Sequence, residues 1–492
     1  MASAGPGETG LLFIGGEWFP SRSDRWQEVH DPSTGGRLGR VSIASRDEAA
    51  AAVDAAASVE ESWGTTPIHE RARLLRALSD RLLADSSGMA QIIAQEVGKP
   101  IVDARIEAGR AVTVYQLAAD EARHLTGESF PADAYTYPPG NERRFLFSVR
   151  DPMGVVVAIS PFNFPLNLLS HKVAPALAAG NPVVVKPTSA APLTALRLAK
   201  HAEAAGFPKG VVNVVVGPGG EVGDTLVEHP RTRLVTFTGS TSVGKSIAEK
   251  AGRHAKRVIL EMGGMDPFIV LEDAPLDVAV PAAVRGAFGY SGQVCTASKR
   301  LLVSDAVADR FVRAFVQRVS QLKIGAALSE DTQVGPVIDG AALDRMDQLV
   351  GDAVARSAKL LVGGQRAAEL APGHFYRPTV LDAVTSEAKI AQEEPFGPVV
   401  PILRFHDVEE ALRIANGTPY GLQAAVYTND LQRAFTLAKR IRAGGVHLND
   451  PTSLRWDALP FGGVRESGLG REGLRYAMEE MTEVKLISVN YA

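Results

Sequence analysis

From Gly154 the chain settles into a rhythm of short apolar strands and amphipathic helices: 155–159, 169–179, 182–185, 192–205, 211–216, 222–228, 234–236, 242–252 and 257–260. The strand segments are β-branched and apolar on both faces. Such strands are stable only when helices cover both sides, so the pattern predicts an α/β domain with a parallel sheet and a ligand crevice at its strand ends. After Gly263 a second α/β pattern follows, with strands at 267–271, 300–303 and 399–405 and helices at 275–288, 306–322, 408–416 and 431–441. A chain of 492 residues, 45% hydrophobic and 22% charged, has room for two or three cores.

Before this rhythm lie a small polar opening (1–10) expected to be frayed, a strand-turn-strand at 13–18, a Pro/Gly turn at 31–35, and helices at 45–57, 68–84 and 102–125. Residues 130–150 read as a hairpin turning at 138–141 and returning as a strand over 144–150. The last strand, 483–490, has no local partner and is expected to pair with that hairpin or with another subunit. Lys and Arg number 52 against 56 Asp and Glu, a net charge of -4, which argues against nucleic-acid binding through a general positive field. No run approaches the ~18 apolar residues of a membrane span. One cysteine excludes an intrachain disulfide, the first 16 residues lack a secretory pattern, and the histidines show neither HxH nor HExxH spacing. A cytoplasmic protein without a metal centre is expected.

The single cysteine, Cys295, lies in Gly292-Gln-Val-Cys295-Thr-Ala-Ser. A thiolate attacks carbonyl carbon, and small neighbours leave room for a substrate; the competing reading is a small buried hydrophobe. Glu261 ends a strand before a glycine pair, where desolvation can make a general base of it, or where it is simply a solvated acid. Asn163, in Ser160-Pro-Phe-Asn-Phe-Pro165, offers an amide donor for an oxyanion, or caps an Asx turn. Phe237-Thr-Gly-Ser240, followed by Gly244, joins a strand to a helix N-terminus suited to a phosphate, although it is not GxGxxG. Lys186 and Ser189 follow another strand, where a lysine and a small hydroxyl suit ribose hydroxyls or a 2′-phosphate.

Taken in order, these stretches resemble the aldehyde dehydrogenase superfamily, together with Glu394-Pro-Phe-Gly-Pro398, Pro460-Phe-Gly-Gly463 and Ser467-Gly-Leu-Gly-Arg471. The resemblance implies a Rossmann-type cofactor domain (1–129 and 152–262), an α/β catalytic domain (263–475) and a small β oligomerisation arm (130–151 and 476–492), in a homodimer or homotetramer. It further implies that Cys295 attacks the aldehyde, Asn163 and the Cys295 N–H hold the oxyanion, and Glu261 activates the water that hydrolyses a thioester. Gly239, Ser240 and Gly244 would serve the pyrophosphate, Lys186 and Ser189 the adenosine ribose, and Glu394 and Phe396 the nicotinamide ribose and ring. Ser189 replaces the acidic residue that NAD-preferring members often carry, so NAD, NADP or both are expected. Met265 replaces a frequent lysine.

For the substrate, Arg110 and Arg455 resemble positions where members acting on small anionic or hydroxylated aldehydes place arginine, whose fork suits carboxylate, phosphate or sulfonate. The sequence is similar to the lactaldehyde, sulfolactaldehyde and non-phosphorylating glyceraldehyde-3-phosphate branches at 153–159 and 476–482. Val294 stands where some phosphorylated-aldehyde members have arginine. The expected reaction is therefore oxidation of a small polar or anionic aldehyde to its carboxylate. Alternatives are transfer of the acyl group to coenzyme A, a non-phosphorylating glyceraldehyde-3-phosphate dehydrogenase, a cysteine hydrolase, or a catalytically silent scaffold.

Overall fold

The computed structural model describes residues 8–491, so residues 1–7 of the opening segment lie outside it. Glu8–Gly10, expected to be frayed, is a strand running parallel to Arg37–Ser42, because that edge offers unpaired backbone groups. Two large sheets carry the architecture. The first has eight strands in the order Gly468–Leu469, Arg257–Glu261, Thr232–Thr238, Val155–Ile159, Val183–Lys186, Val212–Val214, Leu12–Ile14, Glu17–Phe19. Its five central strands are parallel, and the flanking strands at both ends join antiparallel. The chain leaves Val155–Ile159 toward one edge and returns to its other side with Thr232–Thr238. That reversal opens a crevice beyond the carboxyl ends of the strands.

The second sheet has seven strands, in the order Lys359–Val362, Thr379–Asp382, Val399–Phe405, Arg300–Ser304, Pro267–Val270, Gln423–Tyr427, Gly445–Leu448. All neighbours are parallel except the first pair. In the third sheet the tail strand Thr482–Asn490 runs antiparallel to Arg144–Pro152 along its whole length, and Arg144–Pro152 also pairs with the short Ser129–Phe130.

Helix boundaries follow local chemistry. Arg46–Ser58 starts with a capping box in which Ser45 Oγ accepts from the Glu48 N–H and Glu48 Oε2 accepts from the Ser45 N–H. Such a cap contributes about 1 kcal/mol. Ile68–Ala84 buries Leu74, Leu75, Leu78 and Leu82 and packs on Ile101–Glu121, which yields to a 3-10 turn over Ala122–His124, short of the expected end. Between them lies Ser86–Val97, a helix that sequence periodicity did not announce. Asn167–Ala178 is buried on every side, including His171 and Lys172, so the polar ends of those two side chains require partners inside the protein.

Candidate active site

The carboxyl ends of the first sheet bring the expected residues together. Lys186 and Glu261 are the last residues of their strands, Gly239 and Ser240 follow Thr232–Thr238, and Asn163 follows Val155–Ile159 by four positions. A cleft of about 1210 Å³ runs along these ends, lined by Lys186, Ser189, Gly239 and Ser240 at one end and by Asn163, Glu261, Cys295, Glu394 and Phe396 at the other. Its size and its lining suit a dinucleotide. The Thr241–Gly252 helix has no side-chain cap at Ser240, so its first N–H groups are available to an anion. Gly239 cannot carry a side chain without meeting the Phe237 ring, 2.5 Å from where a Cβ would stand. Gly244 does not line the cleft; it makes room for Met262 against the helix's first turn. Lys186 is buried with only the Pro187 carbonyl to accept from it, at 3.2 Å, and burial pulls its ammonium down to about 8. A negatively charged ligand beside it would reverse that loss, so these residues fit a phosphate-bearing nucleotide.

Cys295 sits in a loop braced by strain. Tyr290, Ser291 and Gly292 adopt φ of 48°, 55° and 70° in succession, and such conformations persist only where surroundings enforce them. Tyr290 Oη donates to the Val97 carbonyl at 3.0 Å and Ser291 Oγ to the Gly335 carbonyl at 2.7 Å. A Cβ at Gly292 would lie 2.2 Å from the Gly397 carbonyl oxygen. Asn163 is buried and donates from Nδ2 to the Gln293 carbonyl at 3.0 Å, two residues before Cys295. Upstream, Glu107 Oε1 accepts from the N–H groups of Leu166 and Asn167 and pairs with buried Lys99, whose ammonium lies 3.5 Å from the centre of the Phe164 ring. The Asn163 loop is thereby clamped.

Glu261 is buried, and the polar neighbour of its carboxylate is the Cys295 thiol; no N–H or hydroxyl of the protein donates to either oxygen. Burial first, and the charge of Glu472 second, push its carboxyl up to about 7. The Cys295 thiol is driven upward by burial and by the neighbouring Glu261 charge, while Lys299 pulls the other way. Lys299 donates to the Cys295 carbonyl and pairs with Glu394 Oε1 at 3.1 Å, so it links the Cys295 loop to the acidic residue on the cleft wall.

Sequence reasoning missed Lys299 and a second network. Lys172 Nζ donates to Glu472 Oε1 at 2.6 Å and Thr238 Oγ1 at 2.7 Å, and Glu472 Oε2 accepts from Arg455 Nη2 at 3.0 Å. Burial alone would raise the Glu472 carboxyl, but Lys172 and Arg455 outweigh it and hold it well below its usual range. Arg110 and Arg455 do not line the nucleotide cleft. Arg110 is paired through two nitrogens with Asp457, and Arg455 lies over the Phe461 ring with its charge felt by both Cys295 and Glu261. A lysine in a helix that carries no other charge at neutral pH is the one sequence signal that could have flagged Lys172. Among the described residues no cluster of metal-ligating side chains occurs, and no helix is long and apolar enough to cross a membrane.

A thiol beside a buried acid on the wall of a dinucleotide-sized cleft is the arrangement of enzymes that form a covalent intermediate beside a redox nucleotide. The chain belongs to the aldehyde dehydrogenase family, whose profile matches residues 18–487, and it is an NAD(P)-dependent oxidoreductase of aldehydes. It is 40% identical over 483 residues to the lactaldehyde dehydrogenase of Methanocaldococcus jannaschii, covering 97% of this chain and 100% of that one. It is 39% identical to the 3-sulfolactaldehyde dehydrogenase of Priestia megaterium, covering 97% and 98%. The crystal structure of the NADP-dependent glyceraldehyde-3-phosphate dehydrogenase from Bacillus halodurans C-125 complexed with NADP superposes with a TM-score of 0.95 at 40% identity, covering 99% and 100%.

Proposed function

We propose that this enzyme oxidises a small hydroxylated or anionic aldehyde, of the lactaldehyde, sulfolactaldehyde or semialdehyde type, to its carboxylate. The reading rests on the convergence of Cys295, Asn163 and Glu261 at the inner end of the cleft. Cys295 gives up its thiol proton to solvent and adds as the thiolate to the aldehyde carbon. The Asn163 amide and the Cys295 N–H, which donates to no protein acceptor, receive the developing oxyanion. The bound nucleotide supplies the hydride acceptor, and the acyl group remains on Cys295 as a thioester. Glu261, to which no N–H or hydroxyl of the protein donates, takes a proton from water as the water oxygen attacks the thioester carbon. The acid leaves and the thiol recovers its proton.

Lys186 and Ser189 take the adenosine ribose, Gly239 and Ser240 the pyrophosphate with Gly244 packed behind them, and Glu394 and Phe396 the nicotinamide ribose and ring. A cofactor unit (1–129 and 152–262), a catalytic unit (263–475) and a β arm (130–151 and 476–492) divide the work. The exposed Val484, Leu486 and Val489 of the arm favour pairing with a second copy of the chain. A buried base beside the thioester favours water over coenzyme A as the acyl acceptor.

The test is a panel of lactaldehyde, sulfolactaldehyde, succinic semialdehyde and glyceraldehyde-3-phosphate, followed by NAD or NADP reduction without coenzyme A. Turnover with none of them rejects the reading; turnover only after adding coenzyme A makes it an acylating enzyme. For the cofactor, Ser189→Asp places a carboxylate where a 2′-phosphate would lie. The ratio of kcat/KM with NAD to that with NADP is expected to rise by roughly tenfold or more. An unchanged ratio would remove Ser189 from the ribose site.

A further inference from the structure

Asp266 is fully buried and its carboxylate has no side-chain partner; the backbone N–H of Gln423 faces it without hydrogen-bond geometry. A buried acid in that state is costly, and the aldehyde chemistry above makes no use of it. Two cations stand near it. Arg300 is spent, its guanidinium donating to the carbonyls of Met265, Ile414 and Ala415 at 2.8, 2.7 and 2.9 Å. Lys299 is not. Of the three N–H groups on its ammonium, one goes to the Cys295 carbonyl and one faces Glu394 Oε1 at 3.1 Å, which leaves one over.

The backbone holds Lys299 alongside Asp266. Pro267 and Arg300 open neighbouring parallel strands as Cα partners, and one step earlier the Lys299 N–H donates to the Asp266 carbonyl at 3.2 Å. The glycine pair after Glu261 makes the room. A Cβ at Gly263 would stand 2.5 Å from Glu394 Oε2, and one at Gly264 would stand 2.7 Å from Asp266 Oδ1 and 3.1 Å from the Cys295 carbonyl oxygen. Lys299 thus has two acids to choose between, Glu394 on the cleft wall and Asp266 outside the cleft lining, while the Cys295 carbonyl it already holds lies beside the second. A ribose diol engages a carboxylate through both oxygens, and Oε1 is the Glu394 atom that Lys299 occupies.

We propose that Asp266 is a positioning residue, the second seat of the Lys299 ammonium: when ribose hydroxyls take Glu394, Lys299 turns to Asp266 without releasing the Cys295 carbonyl. This rests on the placement of Glu394 at the nicotinamide ribose proposed above and deepens it. The exchange frees Glu394 without stranding a buried cation, and the Cys295 loop stays braced in both states. It also moves a proton. Burial holds the Asp266 carboxyl at about 7 while Lys299 sits on Glu394. An ammonium brought against it lowers that value, so nucleotide binding releases the Asp266 proton to solvent, and affinity rises with pH up to about 7 and levels off above it. The other groups facing these two side chains are Cys295 and Arg300, and Glu261 titrates in the same range.

The test is equilibrium binding of NAD and of NADP across neutral pH, followed by fluorescence quenching. It uses the full-length enzyme, Asp266→Asn, Lys299→Met, their double variant, Glu261→Gln and Glu394→Gln. Asp266→Asn is expected to raise Kd by roughly tenfold, the worth of one charge-assisted hydrogen bond, and to abolish the dependence on pH. Glu261→Gln should keep that dependence. In the Lys299→Met background, Asp266→Asn should be silent, because the seat matters only to the ammonium that uses it. Should Asp266→Asn fail to accumulate as folded enzyme, Asp266→Ser is read in the same way. An unchanged Kd, a pH dependence that survives in Asp266→Asn, or an equal penalty with and without Lys299 overturns the proposal. A Kd indifferent to Glu394→Gln is a different outcome, which rejects the underlying placement of the ribose instead.

Discussion

Replacing Cys295 by alanine is expected to reduce aldehyde-dependent nucleotide reduction by roughly 10⁴-fold or more, since in the proposed mechanism the residue forms the covalent bond on which every later step depends. Nucleotide binding, followed by fluorescence quenching, should survive, because the far end of the cleft is built from Lys186, Ser189, Gly239 and Ser240. Retention of more than a tenth of the activity would mean that the thiol is not the nucleophile. The environment explains why the thiol needs help. Burial and the Glu261 charge both push it toward the protonated form, and Lys299, with Arg455 behind it, counters them.

Glu261→Gln is expected to separate the two halves of the reaction. The first should remain, giving a burst of one reduced nucleotide per active site, while steady turnover drops by about 10² to 10⁴-fold for want of a base. The pH dependence follows from the same side chain. Its carboxyl lies at about 7 through burial and the Glu472 charge, and only its deprotonated form activates water. Steady-state kcat should therefore rise with pH through about 7 in the wild type and lose that limb in the variant. The Glu261 charge also raises the Cys295 thiol. Removing it should thus shift the midpoint of iodoacetamide alkylation to lower pH. Absence of a burst, or an acid limb that persists in the variant, would assign the base elsewhere.

Legibility divided along physical lines. Short β-branched strands alternating with amphipathic helices reveal a covered parallel sheet because the period of apolar residues is a local property. The expected strands at 155–159, 257–260 and 399–405 accordingly fall on observed ones. The tail's need for a partner was legible, the choice between the hairpin and another subunit was not, and in the structure Thr482–Asn490 takes Arg144–Pro152. Ser86–Val97 escaped notice. Its seven buried residues include Glu96, a carboxylate that accepts from the Leu193 and Thr194 N–H groups at another helix's start, so its charge gave no hint of burial. Edge strands such as Lys359–Val362 are likewise settled by pairing rather than by pattern.

By itself, the sequence determined which chemistries are available: one thiol, an acid at a strand end before two glycines, an amide in a proline-bounded loop, and a small-residue turn at a helix start. Each depends on residue type and near neighbours. Only the tertiary structure decided the state of the charges. Arg110 meets Asp457 across 347 positions and Lys172 meets Glu472 across 300, and no local pattern encodes which guanidinium is already spent. Coulomb energy depends on separation and burial, both of which exist only after the chain has closed on itself.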